Sequence, residues 1–311
     1  MKQGRFAVID LGTNTFNLLI VEIFHTSKVV LHHDRYVVKI GKGGIQNNVI
    51  TPEACTRAIN AIEYFVQHLN IFKVPSSNIK AIATSAFRNA TNGTQLAHDI
   101  LAKTGINIEI INGDKEAELI YYGVKAAMDI GDEHVLIMDI GGGSVEFIIC
   151  NSNQILWKKS YEIGAQRLLD MFHDTDPIRL EQIDALYDYL THHLSDLKHN
   201  INIYKPQTMI GSSGTFDTLC EIYSRENELP IDLENDTEYE IPVAYFEKIF
   251  RKIIKMNVQE RKAIQGMSVM RVDMIVVASC LIDYMLKKFK LKRLKISFYS
   301  LKEGVLYLNY N

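Results

Sequence analysis

Asp10-Leu11-Gly12-Thr13-Asn14-Thr15 and Asp139-Ile140-Gly141-Gly142-Gly143-Ser144 are one turn written twice. Each follows an apolar run, Phe6-Ala7-Val8-Ile9 and Val135-Leu136-Ile137-Met138, and each is followed by another. The pattern predicts strand, tight polar turn, strand, with an aspartate leading each turn. A Rossmann or Walker loop differs, because there the glycines open a helix. Two such hairpins predict two related half-molecules facing each other across a cleft that holds a phosphate chain and its metal.

The segments outside the turns repeat as well. After Phe16 to Ile23, Lys28 to Ile40 reads as a third strand region. A helix capped by Thr51, with Pro52 at its first position, buries Ala58, Ile59, Ile62 and Phe65. The strand Ile79 to Ala83, a helix near Thr94 to Ala102 and the strand Ile108 to Ile111 complete the first half. From Val135 the order begins again. The second hairpin leads to Ile155 to Lys159, one long helix from about Ile178 to Leu197, and the strand Thr208-Met209-Ile210, which ends in a third turn, Gly211-Ser212-Ser213-Gly214-Thr215. Helices at Val243 to Ile254 and Val272 to Lys288 and a strand from Leu294 to Phe298 follow. Arg225 to Pro242, acidic and aperiodic, reads as a surface loop. The whole is an α/β chain with a repeated unit.

Composition narrows the function. With 311 residues, 47% of them hydrophobic, the chain can build two cores. A net charge of −3 gives no global attraction to nucleic acid or an anionic membrane, so a polyanion must be held locally by backbone N–H groups, a metal and a few cations. No apolar run is long enough to span a membrane, and Asp10 interrupts the apolar N-terminal stretch, so a cytoplasmic location is expected. Cys55, Cys150, Cys220 and Cys280 lack disulfide or zinc spacing and read as small apolar fillers. None of the ten histidines stands in an HExxH arrangement, and His32-His33 and His192-His193 read as surface pairs.

Candidate chemistry lies in a few places. Gly12 and the Gly141-Gly142-Gly143 triplet permit φ > 0 and close approach, so that consecutive amides can face phosphate oxygens, with Thr13, Asn14, Thr15 and Ser144 adding side-chain donors. Asp10 and Asp139 end buried strands, where a Mg²⁺ ligand or a second-shell role gives each a reason to be there; the alternative is an aspartate that bonds its own turn. Asn112-Gly113-Asp114 marks a helix start, and turning 100° per residue sets Glu116 beside Ile120 and Gly123, opposite Asp114, Lys115 and Glu118. A carboxylate on that apolar face suits a general base; the alternatives are a helix cap or the partner of a cation elsewhere. Glu146, two residues beyond Ser144, could orient water or bind metal, or face solvent on an edge strand. Arg88 offers a fork for phosphate or is an ordinary surface arginine. Gly211 to Thr215 could bind phosphate or a nucleoside edge, or only turn the chain. The basic run Lys287, Lys288, Lys290, Lys292, Arg293 and Lys295 reads as a solvated face rather than a polyphosphate track.

Taken together, Asp10 to Phe16, Asn112 to Ile120 and Asp139 to Glu146 resemble the exopolyphosphatase and guanosine pentaphosphate phosphatase (Ppx/GppA) family. Thr84-Ser-Ala-Phe-Arg88-Asn-Ala, Gly211 to Thr215, Glu260-Arg261 with Arg271-Val-Asp273, and Leu301 to Tyr307 fall in family order. The resemblance implies an α/β fold of two ribonuclease-H-like (actin-like, ASKHA) domains with an interdomain cleft, residues 1–122 plus about 300–311 and residues 123–299. It implies Mg²⁺-dependent release of the terminal phosphate from polyphosphate or pppGpp. By position, Glu116 matches the catalytic base, Glu146 the second active-site glutamate, Asp10 and Asp139 the metal-linked aspartates, and Arg88 the phosphate-contacting arginine. The family makes a homodimer plausible. Ser297-Phe298-Tyr299-Ser300-Leu301-Lys302-Glu303-Gly304 departs from the family's usual Ser-Asp-Gly-x-Leu-Arg-Glu-Gly, and the extra C-terminal helical domains of long members are not expected. The rivals are an actin-fold kinase moving phosphate to a small acceptor and a sensor that binds a nucleotide without turnover.

Overall fold

The computed structural model describes residues 3–25, 27–232 and 236–310. In chain order the elements are β1 (Gly4–Leu11), β2 (Thr15–Phe24), β3 (Ser27–Val37), α1 (Pro52–Ile71), β4 (Ile79–Ala83), α2 (Ser85–Asn89), α3 (Gly93–Thr104), β5 (Ile108–Ile110), α4 (Gly113–Ala127), β6 (Val135–Ile140), β7 (Val145–Cys150) and β8 (Ile155–Tyr161). There follow α5 (Ala165–Phe172), α6 (Leu180–His193), α7 (Ser195–Tyr204), β9 (Thr208–Ser212), α8 (Gly214–Glu226), β10 (Glu238–Ile241), α9 (Val243–Ile253), α10 (Val258–Lys262), α11 (Ile275–Phe289), β11 (Arg293–Ser297) and α12 (Leu301–Tyr310). The chain divides into two compact units, Met1–Gly123 with Leu301–Asn311, and Val124–Ser300.

The first unit carries the sheet β3-β2-β1-β4-β5, antiparallel as far as β1 and parallel from β1 to β5. Period-2 alternation sends Ala7, Ile9 and Leu11 of β1 and Phe16, Leu18 and Ile20 of β2 into one core with Ala54, Ala58, Ile62 and Phe65 of α1. The Thr51 hydroxyl caps α1 by accepting from the Ala54 amide at 3.3 Å. In the same unit α12 crosses α4 so closely that a Cβ on Gly304 would lie 1.8 Å from the Leu119 carbonyl oxygen, which only glycine allows.

The second unit repeats the plan. Its sheet, β10-β11-β9-β6-β7-β8, read from β8, has the same order and the same strand directions, with β10 added antiparallel at the edge. Both faces of β6 and β7 are buried, which explains why their sequences are apolar on both faces apart from Asp139 and Glu146. Helix α11 is buried from Ile275 to Leu286 without a break, apolar apart from Ser279, Asp283 and Tyr284, with the Asp283 carboxylate paired to Lys287.

Four sequence expectations change. The third strand ends at Val37, because residues 38–41 leave the sheet to bond the first turn. The single helix of Ile178 to Leu197 is two, broken at Leu194, beyond which Asp196 accepts from the Tyr161 hydroxyl at 2.5 Å and pairs with Lys159. Gly211 and Ser212 belong to β9 and Gly214 opens α8, leaving Ser213 as the third turn. Arg225 to Pro242 is not all loop: α8 runs to Glu226 and β10 pairs with β11, while residues 233–235 of that stretch lie outside the described residues. Among the described residues no helix is long and apolar enough to cross a membrane.

Candidate active site

Each hairpin turn is tied back by its carbonyls. In the first, Thr13 C=O accepts from the amides of Ile40 (2.8 Å) and Gly41 (3.2 Å), and Asn14 C=O from Val38 (3.0 Å) and Lys39 (2.8 Å). In the second, the carbonyls of Gly141, Gly142 and Gly143 accept from the amides of Ala165 (2.9 Å), Gln166 (2.9 Å) and Gly164 (3.1 Å), and the Arg167 Nε adds a bond of 3.0 Å to Gly143. C=O and N–H point in opposite directions across a trans peptide. Fixing these carbonyls therefore turns the amides of Asn14 and Thr15, and those of Gly142, Gly143 and Ser144, to the other side of each turn. Consecutive amides facing one way form an anion-binding concavity.

The glycines serve that geometry by size and not by the positive φ expected of them. Neither Gly12 nor Gly141 adopts a left-handed φ, and both amides bond across the turn, to Thr15 C=O at 3.1 Å and Ser144 C=O at 3.0 Å. Gly164 is needed for the same reason, since a Cβ there would lie 2.4 Å from the Gly142 carbonyl. Thr13, Asn14 and Ser144 are buried in their turns, and Thr15 is half-buried.

Sheet register places the charged residues. In the second unit Ser297, Ser212, Asp139, Glu146 and Ser160 stand opposite one another on β11, β9, β6, β7 and β8, a polar row across the sheet. Asp139 does not bond its own turn. It accepts from the hydroxyls of Ser212 (2.6 Å), Ser213 (2.7 Å) and Ser300 (2.5 Å), while Glu146 accepts from the Ser160 hydroxyl at 2.6 Å. Glu146 is 1% exposed, which removes the solvated edge-strand alternative. Ser213 has φ 76°, strain worth about 1–3 kcal/mol in a residue with a Cβ. It is held by its bond to Asp139 and by its carbonyl, which accepts from the amides of Phe216 (3.0 Å) and Asp217 (3.2 Å). Gly214 and Thr215 form the buried first turn of α8.

The first unit has the corresponding row. Asp10 faces Asn17 and Asn17 faces Arg35 across β1, β2 and β3. Asn17 donates to Asp10 at 3.0 Å and accepts from the Arg35 Nε at 3.2 Å. Glu116 sits in the first turn of α4, which Asn112 caps through its side chain to the Lys115 amide at 2.8 Å. Ala117, Ile120 and Val124 are buried beside it, and Asp114 is exposed. The Arg88 Nη1 donates to the Glu116 carboxylate at 2.7 Å and to Ile111 C=O at 3.2 Å, with the two side chains 17% and 8% exposed. Two candidates from separate segments are thus one buried ion pair, which offsets the cost of burying either charge alone.

The carboxylates offer hard oxygen donors, Asp10 in the first unit and Asp139 and Glu146 in the second, the donor type Mg²⁺ takes. Three hydroxyls on Asp139 suit it to holding a metal-bound water, and Glu146 stands beside it in the register of β6 and β7. Within the second unit these two carboxylates fit a hydrated Mg²⁺. In the basic run Lys287 pairs with Asp283 at 2.9 Å, Arg293 with Glu240 at 2.6 Å and Lys295 with Glu238 at 3.8 Å, so these three cations serve their own unit. Burial pushes the thiols of Cys150, Cys220 and Cys280 up to about 12, which leaves them inert.

Sequence reasoning missed Ser160, Ser300, Asn17 and Arg35. Register gives Ser160 and Asn17 once the strands are paired. Ser300 lies 161 residues from Asp139 within the segment that departs from the family pattern, and no sequence signal marked it.

Comparison with known proteins agrees with this architecture. Residues 19–310 match the profile of the Ppx/GppA phosphatase family. The fold superposes on the crystal structure of an exopolyphosphatase from Cytophaga hutchinsonii with a TM-score of 0.94, at 43% identity over 97% of this chain and 96% of that one. A Haemophilus influenzae protein, provisionally named an exopolyphosphatase, is 27% identical over 97% of this chain and 90% of its own length. The Aquifex aeolicus Ppx/GppA structure, at 24% identity and a TM-score of 0.81 over 99% of this chain and 97% of that one, shares the fold. The chain belongs to the Ppx/GppA phosphatase family.

Proposed function

We propose that the protein is an exopolyphosphatase that releases the terminal phosphate of inorganic polyphosphate by hydrolysis. The observation that carries this reading is the matched pair of turns, whose carbonyls are bound behind them and whose consecutive amides face the other way. Amides held in that direction before any ligand arrives bind phosphoryl oxygens without reorganising. Activity on polyphosphate comes to this chain from its exopolyphosphatase relatives.

In this reading Asn14, Thr15, Gly142, Gly143 and Ser144 hold terminal phosphoryl oxygens through their amides. Arg88 presents its guanidinium to the transferring phosphoryl group, where charge grows as the anhydride bond loosens. Glu116 accepts a proton from the attacking water as its oxygen bonds to phosphorus, and the departing chain oxygen takes the electron pair of the broken P–O bond. Glu146, anchored by Ser160, orients water. Bound Mg²⁺, held through Asp139, Glu146 or Asp10, would neutralise charge on the phosphate oxygens.

The test is phosphate release measured side by side from long polyphosphate, short polyphosphate, pppGpp and ATP, with Mg²⁺ and with a chelator. Release from polyphosphate that requires Mg²⁺ supports the reading. Release from pppGpp alone moves the substrate to the nucleotide, and phosphate transfer that requires an added acceptor makes the protein a kinase. Binding without release makes it a sensor.

A further inference from the structure

His32 and Asp34 lie two residues apart on β3 and so share a face of the strand, and His68 stands in the last turn of α1. One ligand atom from each lies within 4.8 Å of the others, all in the first unit. The cluster takes no part in the phosphatase reading. His32, expected in a surface pair, is only partly exposed: its ring stacks on His68 at 4.7 Å between centroids and on Phe72 at 5.2 Å, and its side chain is 25% exposed.

Three details distinguish this cluster from a simple aromatic stack. The His32 Nε2 is buried without a hydrogen-bond partner and lies 3.8 Å from the Asp34 carboxylate, a cost that a stack alone does not explain. The His68 Nδ1 bonds the Tyr64 carbonyl at 3.1 Å, which puts its proton on Nδ1 and leaves the Nε2 lone pair to act as a ligand. Asp34 accepts from the Tyr64 hydroxyl at 2.8 Å and from the Arg35 amide at 2.7 Å, the outer support that metal-ligating carboxylates commonly have. Protonation agrees. Burial, helped by the neighbouring His68, pushes His32 below its ordinary value and keeps it neutral. Burial raises Asp34, but the Tyr64 and Arg35 bonds outweigh it and hold the carboxyl below its usual range.

We propose that His32, Asp34 and His68 bind a transition-metal ion, Zn²⁺ in the first instance. Two imidazoles and a carboxylate suit Zn²⁺, and hard Mg²⁺ does not favour them. The half-exposed position leaves room for a fourth ligand from solvent. Binding draws the rings out of their stack and pins the end of α1 to β3, so its effect is on the stability of the first unit.

The experiment uses metal-stripped, tag-free protein titrated with Zn²⁺ by calorimetry, with Co²⁺ as a visible-absorption probe and Mg²⁺ as the control. One equivalent of Zn²⁺ is expected to bind, with a rise in Tm and a Co²⁺ spectrum of low coordination number. His32→Phe and His68→Phe keep an aromatic ring in the stack and remove one imidazole ligand each, so each folds yet loses more than about tenfold in Zn²⁺ affinity and the Tm response. No stoichiometric Zn²⁺ uptake at micromolar concentration, or uptake unchanged in both variants, overturns the site. Phosphate release plays no part in the readout, so failure here is distinct from failure of the phosphatase reading.

Discussion

Replacing Glu116 tests the site most sharply, because chemistry and stability make different demands on that side chain. Its carboxylate lies 2.7 Å from the Arg88 guanidinium, with the two side chains 8% and 17% exposed. Removing one partner of a buried ion pair costs about 3–5 kcal/mol. Arg88 keeps the Ile111 carbonyl at 3.2 Å and some contact with water, which places Glu116→Ala at the bottom of that range, about 3 kcal/mol. Glu116→Gln retains an amide oxygen to accept from Arg88 and gives up only the charge, worth about 1 kcal/mol. A general base contributes about 10²–10⁴ in rate, and glutamine accepts no proton.

The two variants are therefore expected to lose phosphate release alike, by 10²-fold or more, and to differ in denaturation midpoint, with alanine well below glutamine. Urea unfolding and a coupled phosphate assay on one preparation of each check both halves. Glutamine turnover within about tenfold of the parent would refute the base assignment. Equal unfolding midpoints would refute the claim that the pair supports the fold. The alanine variant, the usual choice for showing that folding is untouched, is the wrong one here.

Gly304→Ala drives a Cβ against the Leu119 carbonyl 1.8 Å away and is expected to part α12 from α4, lowering Tm by several degrees, which calorimetry checks. Ser212→Ala and Ser300→Ala each remove a hydroxyl from the buried Asp139 carboxylate, at about 1.5 kcal/mol given that two donors remain, and equilibrium unfolding reads the loss. His173 has a side chain 4% exposed, and both ring nitrogens lack hydrogen-bond partners. Burial first, and then Arg261, push its pKa down against the opposing pull of Asp176 and Asp273. Because the folded value lies below the unfolded one of about 6.5, its contribution is complete above that pH and is lost as pH falls through the folded value. His173→Phe should flatten the acid limb of the stability profile.

The hairpins, the capped helix at Thr51 and the helix opening at Asn112 were legible because local physics decides them: an apolar run ended by a turn, a hydroxyl before Pro52, a side chain ahead of an amphipathic period. Glu116 was legible as an ionisable residue on an apolar face, but its partner was not. Arg88 lies 28 residues away, and only the parallel pairing of β4 with β1 and β5 brings α2 to the start of α4. The same limit hid Ser300, and it hid His32, whose stacking on His68 depends on α1 lying over β3. Where the reading of the third turn went wrong, at Gly211 and Ser212, tertiary pairing with β6 and β11 extends β9 through residues that favour turns on their own.

The repeat also shows what distinguishes the two units. Register sets Asn17 against Asp10 at the place where it sets Glu146 against Asp139. The first unit's aspartate thus faces an amide that donates to it and carries Arg35 behind it, which fixes one carboxylate oxygen by a neutral bond. The second unit's aspartate faces another carboxylate, so hydroxyls from Ser212, Ser213 and Ser300 must supply the protons that two adjacent acids cannot offer each other. An acid pair on neighbouring strands is unfavourable without a cation and favourable with one. Within the proposed function this makes the second unit, and not the first, the better place for Mg²⁺, and leaves Asp10 to hold a water or a phosphate-bound group. In the proposed reading the duplicated turn holds phosphate in both units, and the residue one strand away, Asn17 or Glu146, decides which copy is charged for metal.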